Sequence, residues 1–282
     1  MKLKSKNVLI TGGGRGIGEA MAYAFAKEGA NISLSARTIS DLEKVQKNLI
    51  KYGIKTHIHI CDVSNTKEVK SWVDTTLQKF GKIDVLINNA GIYGPIGPLA
   101  DNNLDHWIQT IEINLLGTVI CMKVVLPTMI KQQSGVIINM SGGGAVSPFP
   151  RFSAYSTSKA AVVRLTETIA EEVKEYNIRI NAISPGAVNT KFLDQVLQAG
   201  DAAGKDFFEK SLKQKETGGT SPEIASELAI FLASDESKGL TGKVISAVWD
   251  DWKSIPPRIK ELQETSLYTL RRIDERNFKE LR

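Results

Sequence analysis

The chain has 282 residues, enough to bury a large core without disulfide or metal staples. Hydrophobic residues make up 42% and charged residues 24%, which excludes disorder, collagen and a coiled coil. The net charge of +5 favours solubility and anionic ligands but is too small for a nucleic-acid signature. Cys61 and Cys121 stand far apart, so a disulfide framework is excluded and a reduced, cytoplasmic setting is expected. The opening apolar run, Val8-Leu9-Ile10, is too short for a signal peptide, and no stretch is read as a membrane span. His57, His59 and His106 do not group with Cys or acids at ligand spacing, so no metal site is expected.

Along the chain, short apolar runs alternate with longer helical patterns. Strands are predicted at 7–10, 31–35, 55–60, 84–87, 135–140, 178–184 and 243–248. Helices are predicted at 16–28, 39–51, 66–80, 104–130 and 154–176, with helical pieces in 191–217. A last helix starts at Ser221-Pro222, with Ser as N-cap and Pro in the first turn, and runs to about 232. This alternation predicts an α/β fold: one Rossmann-like, doubly wound parallel sheet with helices on both faces. Length alone would allow two domains. The absence of a linker predicts one, spanning 1–248, followed by a C-terminal tail at 249–282.

Thr11-Gly12-Gly13-Gly14-Arg15-Gly16-Ile17-Gly18 follows the first strand and opens the first helix. Glycines there permit a tight turn and let backbone approach a pyrophosphate, while the helix N-terminus offers free N–H groups. Gly12, Arg15, Gly16, Ile17 and Gly18 are therefore candidate dinucleotide contacts. The second strand ends Ser35-Ala36-Arg37, where an acid would serve an adenosine 2′-hydroxyl. Arg37 suits a 2′-phosphate instead, with Arg15 on its other side, so the expected cofactor is NADP(H), with NAD(H) as the alternative.

Tyr155 and Lys159 stand at i and i+4, on one face of a predicted helix. A nearby ammonium stabilises a phenolate, which would tune Tyr155 as a general acid or base. TGGGRGIG, Asp62-Val63, Asn88-Asn89-Ala90-Gly91, Asn114, Ser141, Tyr155-x-x-x-Lys159 and Pro185-Gly186 occur in that order. Together they resemble the short-chain dehydrogenase/reductase family, in its short single-domain form and closest to carbonyl reductases of 3-oxoacyl carriers. The resemblance covers about residues 4–248.

The resemblance implies roles for single residues. Asp62 and Val63 would contact adenine. Asn88, Ala90 and Gly91 would shape the ribose side of the cleft. Tyr155 would be the general acid/base, and Lys159 would hold the nicotinamide ribose. Asn114 would hold a water in a proton relay, and Ser141 would bind the substrate carbonyl. Pro185, Gly186, Val188 and Thr190 would fix the nicotinamide. One departure stands out: the interval from Ser141 to Tyr155 is one residue longer than the commonest family spacing, which falls on Gly142. Either the loop Gly142-Gly143-Gly144 absorbs an extra residue, or the serine role is displaced or lost.

The expected reaction is NADPH-dependent reduction of a ketone to a secondary alcohol. The alternatives are an NAD-dependent alcohol or sugar dehydrogenase of the same family and a non-catalytic dinucleotide-binding protein. Substrate contacts are expected from Gly94-Pro95-Ile96, from Phe149 and Phe152, and from Phe192, Leu193, Phe207 and Phe208. The partners expected are a small carbonyl or alcohol, with no nucleic acid and no membrane. By resemblance, 104–130 and 154–176 would pair subunits in a homodimer or homotetramer. In the tail, Ile259, Leu262, Leu267, Leu270, Ile273, Phe278 and Leu281 fall mainly on one side at helical spacing, which predicts a partly helical tail that docks on its own subunit or a neighbouring one.

Overall fold

A computed structural model describes residues 1–275; Phe278 and Leu281 of the expected tail helix lie outside the described residues. Seven parallel strands form the sheet: β1 (Asn7–Thr11), β2 (Asn31–Ala36), β3 (Thr56–Ile60), β4 (Val85–Asn88), β5 (Gly135–Met140), β6 (Ile178–Ser184) and β7 (Val244–Ser246). Their order is β3-β2-β1-β4-β5-β6-β7. β1, β4 and β5 are buried along their whole length, as apolar parallel strands must be when helices cover both faces.

One face carries α1 (Gly16–Lys27), α2 (Ile39–Leu49) and α9 (Pro222–Ala233). Met21, Phe25, Leu42, Val45, Leu228 and Phe231 from these helices meet Val8, Ile10 and Ile138 from the sheet. The other face carries α3 (Thr66–Phe80), α5 (Gly117–Gln132) and α6 (Ser153–Glu172), which bury Val69, Trp72, Met122, Val125 and Ala170 against Leu9, Leu86 and Ile137. Trp72 is fully buried and its indole N–H donates to Ser33 Oγ at 2.8 Å. Side chains of this size each contribute about 1.5–3 kcal/mol through burial, so these two layers hold most of the stability. The Ser221 hydroxyl accepts from Glu223 N, which gives α9 its N-cap as expected.

The strand order reverses between β2 and β4, with β1 common to both directions. A doubly wound sheet binds ligands outside the carboxyl ends of its strands at such a point. The glycine loop after β1 and the Asn88–Gly91 segment after β4 flank that crevice.

Two expectations need correction. The segment 104–130 is not one regular helix. α4 (Leu104–Ile111) passes through a π-turn at Glu112–Leu116 before α5 begins. A one-residue insertion of this kind barely disturbs an apolar pattern read at a period of 3.6. Counting contiguous apolar residues also understated this segment, because Leu104–Gln132 is long and apolar enough to cross a membrane by length and composition. In the fold its inner side faces the sheet, with Cys121, Met122, Val125 and Met129 buried.

The tail carries α10 (Ile259–Glu264), and the following described residues run beside β7. The Val244 N–H donates to Tyr268 O at 2.8 Å, and Lys243 Nζ donates to Thr265 O and Leu267 O at 2.9 and 3.1 Å. The Tyr268 carbonyl serves the edge strand β7, and the Thr265 and Leu267 carbonyls hold the Lys243 side chain. Trp252, Ile255 and Leu262 are buried in the main core, with Trp252 against Phe231 at 5.7 Å between ring centroids.

Candidate active site

The glycine loop requires glycine at defined points. Gly12 and Gly16 have φ of +64° and +58°, and a Cβ on Gly18 would overlap the Gly12 carbonyl oxygen. Arg15 precedes α1 without a side-chain cap, which leaves the N-terminal N–H groups of Gly16, Ile17 and Gly18 without a side-chain acceptor among the described residues. Such a terminus suits a pyrophosphate. Asn89 latches the loop in place: its Nδ2 donates to Thr11 O at 2.9 Å and to Gly12 O at 3.2 Å. Thr11 Oγ1 in turn accepts from the N–H groups of Asn89 and Ala90.

Arg15 and Arg37 are both exposed at the ends of neighbouring strands. Arg37 lies 4.0 Å from Asp62, whose carboxylate also accepts from Ser64 N and Oγ. Val63 is buried against Gly117. Asn88 does not face the crevice with its amide nitrogen. Its Nδ2 donates to Asn139 Oδ1 at 2.8 Å and so ties β4 to β5. Thr190 caps α7 (Lys191–Ala199), and its methyl lies 3.3 Å from where a Cβ on Gly16 would sit. The loop after β6, with Pro185, Gly186 and Val188, thereby faces the glycine loop across the crevice.

Tyr155 and Lys159 sit on α6 at 7% and 4% exposure. Lys159 Nζ donates to Met140 O at 2.8 Å and lies 5.7 Å from the Tyr155 ring centroid. Burial draws the Lys159 ammonium down to about 8. Burial, with Tyr93 beside it, pushes the Tyr155 phenol well above its ordinary value. The expected lowering by the lysine is therefore reversed. Desolvation of the phenolate outweighs an ammonium that is committed to a carbonyl, and the tyrosine is held protonated.

The π-turn places Asn114, fully buried, beside these groups. Its Oδ1 accepts from Ile92 N at 2.8 Å, while Nδ2 donates to Ile92 O and to Ser158 Oγ. A Cβ on Gly91 would lie 3.1 Å from Asn114 Oδ1 and 3.6 Å from Lys159 Nζ, so these three residues meet. Ser141 follows β5, with its hydroxyl buried and without a partner among the described residues. At the commonest spacing ahead of the tyrosine, Gly142 lies directly against the Tyr155 hydroxyl, where an added Cβ would overlap it.

An aromatic cluster encloses Tyr155. Tyr93 meets it edge-on at 4.7 Å, and Phe192 on α7 lies 4.4 Å from Tyr93. Phe149 and Phe152 stack at 4.2 Å. Phe207 on α8 (Lys205–Thr217) meets both edge-on at 5.0 and 5.2 Å. Of the expected substrate contacts, Ile96, Phe149, Phe152, Phe192 and Phe207 join this cluster; Leu193 and Phe208 do not.

The family model for short chain dehydrogenases matches residues 6–200. The chain belongs to the short-chain dehydrogenase/reductase family. It is 34% identical over 246 residues to a 3-oxoacyl-acyl-carrier-protein reductase of Thermotoga maritima, covering 87% of this chain and 97% of that one. It is 34% identical over 237 residues to levodione reductase of Leifsonia aquatica, covering 82% and 88% respectively. Among solved structures, an NAD+-bound xylitol dehydrogenase superposes with a TM-score of 0.82 at 33% identity, over 87% of this chain and 98% of that one. The chain is thus an oxidoreductase on a Rossmann-like sheet.

In this short-chain dehydrogenase/reductase, three contributors escape a reading of the sequence. Asn89 lies inside the Asn88–Gly91 motif, yet its latch on the glycine loop depends on β1 and β4 being neighbours. Ser158 carries no signal of its own, although it joins Asn114 to the backbone of Tyr155. Tyr93 precedes Gly94-Pro95-Ile96, and only the fold turns it onto Tyr155.

Proposed function

We propose that this enzyme uses NADPH to reduce a ketone to a secondary alcohol, with Tyr155 as the proton donor. The observation that carries the reading is the buried, protonated Tyr155 on α6, one turn from Lys159. A phenol so placed can give its proton to an oxygen that gains charge. Gly12, Gly16, Ile17 and Gly18 would hold the pyrophosphate, and Arg15 and Arg37 would pair a 2′-phosphate. The bound dinucleotide supplies the hydride. Tyr155 Oη donates to the carbonyl oxygen and gives it a proton as alkoxide character develops. Ser141 Oγ, buried and free of partners among the described residues, is the second donor for that oxygen. Lys159, fixed by Met140 O, places positive charge on the far side of the tyrosine ring.

Likeness to the NAD+-bound xylitol dehydrogenase favours a second reading, NAD-dependent oxidation of an alcohol. Comparing kcat/KM for NADPH and NADH with one ketone decides between them. The first reading requires a strong NADPH preference that Arg37→Ala abolishes, and an NADH preference in the unmodified enzyme overturns it. The exposed Leu104, Ile108 and Leu116 along α4 and the π-turn support subunit pairing through that face.

A further inference from the structure

We infer that the substrate of this site is a ketone whose carbonyl is borne on, or directly beside, a ring. The inference rests on the reductase reading above and deepens it.

Tyr93, Ile96, Phe149, Phe152, Phe192 and Phe207 pack around Tyr155, and five of these six carry aromatic rings. Arg151, the nearest cation in sequence to its Phe152 wall, is turned to Ala202 O. The walls are also flat: Phe149 and Phe152 are nearly coplanar in stacking at 7°, and Tyr93 and Phe192 are inclined by 33°.

The way in adds a second argument. Tyr93 and Phe192 both pack on the Tyr155 ring, and Phe207 closes on Phe149 and Phe152. Reaching the Tyr155 hydroxyl therefore separates rings that now touch, with Phe192 and Phe207 moving on α7 and α8. A ligand favours the open arrangement only by the contacts it makes there and not in the closed one. A ring restores edge and face contacts to the exposed aromatics. A flexible chain of the same carbon count restores less and loses rotamer freedom as well.

The test is NADPH oxidation with a cyclic ketone, an aryl methyl ketone, a linear ketone of equal carbon number, an acetoacetyl thioester and a keto-sugar. The two ring ketones are expected to exceed the others in kcat/KM by about tenfold or more, on the order of one or two ring contacts. Phe207→Ala is expected to raise KM for the ring ketones by about tenfold while moving the linear ketone little. Phe192→Leu, which keeps bulk and removes the ring, is expected to act in the same direction and guards against misfolding in the alanine variant. Equal or better turnover of the linear ketone, thioester or keto-sugar overturns the ring preference and leaves the reductase reading standing. A uniform KM change across all carbonyls in both variants also overturns it. No NADPH oxidation with any carbonyl overturns the reductase reading, and this inference with it.

Discussion

Replacing Gly142 with alanine puts a methyl group against the Tyr155 hydroxyl. The backbone tolerates the change, since Gly142 is absent from the positions with positive φ. The whole effect must then come from the new contact. Tyr155 cannot simply swing aside, because Tyr93 lies 4.7 Å away edge-on and Phe192 closes a further side at 6.1 Å. Overpacking of this kind costs about 1–3 kcal/mol. If that strain is relieved by moving the hydroxyl off the substrate oxygen, kcat falls roughly 10- to 100-fold. NADPH affinity should hold, since the glycine loop and Arg37 belong to other elements. The assay is steady-state NADPH oxidation with a ring ketone, alongside cofactor binding by fluorescence. An unchanged kcat would show that the tyrosine hydroxyl is not the group that must be placed, and the role given to Tyr155 would fall.

Tyr155→Phe should abolish turnover and leave NADPH binding intact; substantial activity in that variant refutes the proton-donor role. Ser141→Ala should lower kcat by about a hundredfold, as for loss of one oxyanion donor, with little change in Tm because its hydroxyl has no protein partner; a normal kcat would assign the serine's role elsewhere. Lys159→Met should remove activity yet raise stability near neutral pH. Because the folded lysine titrates at about 8 rather than 10.5, the unfolded chain binds the extra proton between those values. Wild-type stability therefore rises relative to the variant as pH climbs through that window, by up to about 3 kcal/mol, and a Tm gap that stays constant with pH contradicts the assignment. Truncation after Trp252 should lower Tm and promote self-association through the uncovered β7 edge, read by light scattering; an unchanged Tm and mass would discard that function of the tail.

How much of this was legible in the sequence follows the range of each interaction. The glycine loop, Tyr155-x-x-x-Lys159 and the Ser221-Pro222 helix start are local patterns, and each lands where its residues predict. Arg37 and Thr190 could be placed because each directly follows or precedes a recognisable element. The Asn89 latch and the turn of Tyr93 onto Tyr155 depend on which strands and loops become neighbours, and no spacing encodes that. The tyrosine's pKa was misjudged in direction for a related reason. The i, i+4 rule brings Lys159 onto the same face, but only the fold reveals that Met140 O captures the ammonium and that aromatic rings remove water from the phenol. In the tail, the apolar side that holds Leu262 was legible, but the bond from Val244 N to Tyr268 O depends on β7 being the last strand of the sheet.

That strand edge also bears on catalysis through α6. Tyr155 and Lys159 lie in the N-terminal half of this helix, and Glu167 near the other end is 7% exposed. Its carboxylate pairs with Arg164 and Arg271 and accepts from Leu270 N, while Arg164 reaches Leu270 O. Leu270 in turn packs with Val163 of α6, Ala182 of β6 and Val244 of β7. The tail therefore binds the catalytic helix and the last two strands as one unit, through a nearly buried carboxylate that is costly to leave unpaired. At the opposite end, Lys159 holds α6 to β5 through Met140 O, and Ser158 joins it to the π-turn through Asn114. A helix fixed at both ends can keep the phenol in place while α7 and α8 move to admit a substrate. The tail thus bears on the part of the site that must not move.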